Sequence, residues 1–69
     1  MFIVEGIAPN GTIMTRRYDE AKEAMLEAKD MMDVGLRGVR LITSKGKIYR
    51  ESDIRRLLKN RLLKNIGHR

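Results

Sequence analysis

Val4-Glu-Gly-Ile-Ala-Pro-Asn-Gly-Thr-Ile13 returns thirty-five residues later as Val39-Arg-Leu-Ile-Thr-Ser-Lys-Gly-Lys-Ile48, with Val, Ile, Gly and Ile at matching places. Each copy reads as a β-hairpin. In the first, Pro9-Asn10-Gly11 suits a type I turn, because Pro presets φ at the first central position and Gly accepts the left-handed conformation that follows. Ser44-Lys45-Gly46 takes the same places in the second, so both loops are expected to have three residues and close on a G1 bulge. Hairpin chemistry alone enforces many of these matches, so the repeat is a statement about structure before it is one about ancestry.

A helix is predicted after each hairpin. The first is expected over residues 19 to 34, with Asp19 as N-cap and Gly35 as the residue that ends it. Ala21, Ala24, Met25, Ala28, Met31 and Met32 fall on one stripe at helical spacing, while Leu26 lies among the charges. The second helix is expected over 53 to 66, capped by Ser52 and ended by Gly67. Its Arg-Leu-Leu-Lys-Asn pentapeptide occurs twice, at 56 to 60 and 61 to 65. A five-residue step turns a helix by about 140°, so the second Leu pair leaves the first pair's stripe and the apolar sector becomes broad. The fold class is therefore α+β, ββαββα: hairpin 2 to 18, helix, hairpin 38 to 51, basic helix, forming one small antiparallel sheet with two helices in a single domain.

Pairing across each turn sets Ile7 opposite Ile13 and Ile42 opposite Ile48, with Val4, Met14, Val39, Leu41 and Tyr49 on the other face. Both faces are apolar, whereas a small antiparallel sheet with one wet side alternates cleanly. Either the helices cover opposite faces, or both cover one and a second chain covers the other. The broad sector of the second helix points to a homodimer, with Leu58, Leu62, Leu63 and Ile66 as its candidate interface. Size points the same way. A 69-residue chain without Cys has no disulfide and no thiolate metal site to supplement a small core.

Charge narrows the function classes. The net charge is +6, and it is unevenly spread: residues 19 to 33 hold six acids against Lys22 and Lys29, while residues 37 to 69 hold eleven bases against Glu51 and Asp53. Such a balance favours acidic partners. The candidate nucleic-acid contacts are Arg37, Arg40, Lys45, Lys47, Arg50, Arg55, Arg56 and Lys59, extended by Arg61 and Lys64, and their target is DNA or RNA phosphate. Tyr49 is a candidate for base stacking but shares its face with Val39 and Leu41, which assigns it to the core. No zinc finger, helix-turn-helix spacing or other base-reading motif is present. The alternative is a homodimeric protein-interaction or adaptor module, with solubility or an acidic protein partner as the reason for the charge.

Other chemistry finds little footing. His68 is the single His and lies next to the last residue. Thr12, Thr15 and Ser44 have no general base in any hairpin pairing, and Lys45-Gly46-Lys47 lacks the long glycine loop of a phosphate cradle. Glu23, Glu27 and Asp30 share a helix side, but an unbroken helix lacks the loop that wraps a cation. The chain is thus expected to be non-enzymatic, with no catalytic residue, metal or cofactor. Without Cys, without an apolar run of membrane-spanning length and without the basic start of a signal peptide, it is expected in the cytoplasm, away from membranes.

Overall fold

The computed structural model describes residues 1–67, with side chains through Asn60. The elements follow in the order β1 (Phe2–Ile7), β2 (Ile13–Tyr18), α1 (Ala21–Asp33), β3 (Arg37–Ile42), β4 (Ile48–Tyr49) and α2 (Glu51–Gly67). The four strands form one antiparallel sheet in the order β2-β1-β3-β4. This is the α+β, ββαββα arrangement read from the sequence.

The two hairpin loops are built alike. Gly11 donates its amide to the Ala8 carbonyl and Gly46 to that of Thr43; one residue further on, the amides of Ala8 and Thr43 bond back to the carbonyls of Thr12 and Lys47. Gly11 and Gly46 have φ of 88° and 86°, the left-handed values that a type I turn with a G1 bulge requires. Register follows from these loops. Ile7 pairs with Ile13 and Ile42 with Ile48.

Both helices lie on the face formed by Val4, Val39 and Leu41. These three residues, with Ala24, Ala28 and Met31 of α1 and Ile54 of α2, make the buried core, flanked by half-buried Met14, Met25, Met32, Leu58 and Tyr49. Of the two coverings open to the sequence, the one with helices on opposite faces is therefore excluded. Ala21, placed on the α1 stripe, is exposed, because it opens the helix one turn short of the sheet contact. Leu26 is exposed as its position among the charges implies.

Helix starts differ from expectation. Glu20 rather than Asp19 is the N-cap of α1, and its side chain makes no capping bond. α2 begins at Glu51, ahead of the expected Ser52 cap, because the Arg50 amide donates to Asp53 Oδ2 at 3.2 Å and the Val39 amide donates to Glu51 Oε2 at 3.3 Å. A carboxylate three residues inside the helix thus serves as the cap that Ser52 was expected to supply. Gly35, with φ of 95°, ends α1 as read from the sequence.

One close approach sets the helix over the sheet. A Cβ built on Gly6 would stand 2.9 Å from Leu36 Cδ2 and 3.2 Å from Met31 Sδ, so a larger residue would force those side chains to shift where the end of α1 settles against β1. Opposite it the β1 to β3 register slips between Glu5 and Ile7. Gly38, with φ of 58°, absorbs the extra residue.

Candidate nucleic-acid interface

Six of the eight described cations singled out from the sequence arrive at three places. Lys45 and Lys47 stand on the β3 to β4 loop, both exposed. The loop is held by the Lys47 amide donating to Thr43 Oγ1 at 3.1 Å and by Ser44 Oγ donating to the Met1 carbonyl at 2.9 Å. Lys47 Nζ lies 5.1 Å from the Tyr49 ring centroid. That cation–π contact occupies one side of the ring, and Tyr49 otherwise pairs with Leu41 and packs on the core. The core role assigned to Tyr49 is the one it takes.

A pocket of about 290 Å³ at the start of α2 is lined by Gly38, Val39, Arg40, Arg50, Glu51 and Ser52. Arg40 of β3 and Arg50, just past the end of β4, both line it, and Arg40 is already engaged. Arg40 is ion-paired to Glu5 on the neighbouring strand. Glu51, half-buried, holds the Val39 amide with one oxygen and the Arg55 guanidinium with the other at 3.5 Å. Arg55 and Lys59 line a groove of about 310 Å³ between the helices, with Lys29, Met32, Asp33 and Leu58 as the other walls. Arg56 is exposed on α2 and Arg37 is exposed at the start of β3.

Most acids and most bases stand on different helices, but these pack side by side, with Asp33 of α1 in the groove that Arg55 and Lys59 line. Six of the nine acids sit on α1 and the two residues before it. Among the described residues three ion pairs form, Lys29 with Asp33, Arg40 with Glu5 and Arg55 with Glu51, and none joins α1 to α2. Among the described residues the acidic helix therefore forms no ion pair with the basic one. Glu27 instead accepts a hydrogen bond from the Tyr18 hydroxyl at 2.8 Å, which raises the Tyr18 pKa above its ordinary 10.0, aided by partial desolvation and the Glu27 charge. The Lys29 pKa is likewise raised, first by its bond to Asp33 at 2.7 Å.

Of the candidate dimer residues, Leu58 is half-buried against the core and the α1 groove. Leu62, Leu63 and Ile66 lie outside the described side chains, as do Arg61 and Lys64, and His68 lies outside the described residues. Sequence reasoning missed Arg17 on the uncovered sheet face, and the Glu5–Arg40 pair. Arg17 follows from the hairpin register with Ile3. The pair does not, since it depends on how β1 meets β3.

Among the described residues no group of three His, Cys, Asp or Glu side chains is placed to hold a metal ion, and no helix is long and apolar enough to cross a membrane. No protein-family model, curated protein or solved structure matches this chain.

Proposed function

We propose that the chain is a small non-enzymatic binding module that contacts the phosphate backbone of nucleic acid through Lys45, Lys47, Arg50, Arg55, Arg56 and Lys59. The observation that carries this reading is how few of the cations are paired: one of these six, Arg55, has an acidic partner within ion-pair distance among the described residues. Cations left without counter-charge release counterions from phosphate when they bind, which is the main source of sequence-independent affinity. Recognition by base stacking does not belong to this reading, because Tyr49 is engaged with the core and Lys47. A cytoplasmic setting suits a chain without Cys.

Titration of labelled duplex and single-stranded DNA and RNA across salt concentrations tests it. Six phosphate contacts give a log–log salt slope of about −5 on duplex DNA, or on the order of a thousandfold loss of affinity between about 50 and 200 mM salt. The double variant Lys45→Glu, Lys47→Glu should bind more weakly and with a shallower slope while melting like the parent. Absence of binding at low salt would end the reading. The second reading, a homodimeric protein-interaction module, is favoured by a different observation: the isoleucines on the sheet face that no helix covers.

A further inference from the structure

The uncovered face of the sheet has three cross-strand rows. Arg17, Ile3, Ile42 and Ile48 form the first, Thr15, Glu5 and Arg40 the second, and Ile13, Ile7 and Arg37 the third. The first row is apolar on β1, β3 and β4 and the third on β2 and β1, and Ile7, Ile13 and Ile48 are 42%, 67% and 45% exposed. A depression of about 180 Å³ lies between the second and third rows, lined by Glu5, Gly6, Ile7, Ile13, Gly38 and Arg40. The central row carries opposite charges on the two middle strands.

We propose that this face is where a second copy of the chain docks, sheet against sheet. The charge of the central row selects both the occupant and the geometry. A face-to-face pair of identical sheets has its two-fold axis in the plane between them. An axis across the strands sets β1 over β1 and brings Glu5 against Glu5 and Arg40 against Arg40, like charges in a closing interface. An axis along the strands, running between β1 and β3, sets β1 over β3. Glu5 of each copy then faces Arg40 of the other, and Ile3 of each faces Ile42. The central charges and the Ile3 and Ile42 pair are thus complementary under one rotation, which also lays the aliphatic stems of Arg37 and Arg17 of each copy over Ile7 and Ile48 of the other, and strand directions stay aligned, as in packed sheets.

The area sets the strength. Three strands of six residues and β4 of two, about 4.8 Å apart and rising about 3.3 Å per residue, give a footprint of roughly 300 Å² before side-chain relief. That is well below the roughly 800 Å² per partner of a standard interface, so the pair is weak and depends on concentration. With a net charge of +6 on each copy, mutual repulsion weakens it further at low salt.

Sedimentation velocity from micromolar to about 1 mM chain, free of nucleic acid and at moderate salt, reads the association. A monomer–dimer equilibrium is expected, and Ile7→Lys with Ile48→Lys, each setting a cation against an arginine of the other copy, should weaken it at least about tenfold while leaving the melting curve near that of the parent. The charge row offers a second test that a misfolded variant cannot mimic. Glu5→Arg and Arg40→Glu proteins should each associate poorly alone, since each places like charges across the axis. Mixed, they should form a heterodimer, because both crossed pairs become attractive. A parent chain that stays monomeric throughout, a dimer indifferent to the Ile7 and Ile48 changes, or a mixture that associates no better than its components would each overturn the proposal.

Discussion

Replacing Ile54 with Ala tests how α2 is held. Ile54 is the one residue of α2 among the described side chains that is fully buried, and it meets Val39, Leu41 and the Ala24, Ala28 and Met31 face of α1 in a single cluster. Ile54→Ala removes three carbon groups at about 0.8 kcal/mol each, or about 2.4 kcal/mol of transfer free energy. The hole left between two helices and a sheet adds a cavity cost, which places the total at about 3 kcal/mol, within the usual 2 to 5 for such a change. A 69-residue domain at about 0.05 to 0.15 kcal/mol per residue has roughly 3 to 10 kcal/mol in all. The substitution therefore removes a third or more of the stability. Urea unfolding followed by circular dichroism is the assay: with a slope near 1 kcal/mol/M for so small a chain, the midpoint should fall by about 3 M, or the variant should be unfolded in buffer. Leu26→Ala, at an exposed site on α1, serves as the comparison and should stay within about 0.5 kcal/mol of the parent. A loss below about 1 kcal/mol for Ile54→Ala would refute the assignment of Ile54 as the residue that anchors α2.

Three further outcomes follow from the geometry. Gly6→Ala should cost about 1 to 3 kcal/mol by thermal melting, since the added methyl meets Leu36 and Met31 at the end of α1. Gly11→Ala and Gly46→Ala should each cost about 1 kcal/mol and by similar amounts, because both sites have open space and the same positive φ, so the expense is backbone conformation alone. The Tyr18 hydroxyl, bonded to Glu27, should titrate above 10.0 in a phenolate absorbance titration. Because the folded value is raised, the stabilisation it carries is fully present below pH 10.0 and is lost as pH rises through the raised value; Tyr18→Phe should abolish that alkaline loss.

Local chemistry carried a large part of the fold in the sequence. Pro9-Asn10-Gly11 and Ser44-Lys45-Gly46 dictate two matching turns, and once the turns are placed the period of two puts Ile7 with Ile13, Ile42 with Ile48, and Val4, Val39 and Leu41 on the opposite face. The α1 stripe and its Gly35 end are local in the same sense. Helix starts were less legible, because a cap is decided by competition among neighbouring acceptors, and Asp53 reaching back to Arg50 displaced Ser52.

Only the tertiary structure decided how the two hairpins meet. Joining β1 to β3 across the intervening strand β2 and helix α1 fixes the order β2-β1-β3-β4, opposes Glu5 to Arg40, and places a bulge at Gly38, none of which a turn or a periodicity encodes. Two apolar faces in the pattern say that both want cover without saying which one the chain itself supplies. Packing settled that: the close approach at Gly6 and the small side chains of Ala24 and Ala28 let both helices crowd one face, and the isoleucines of the other remain in contact with water.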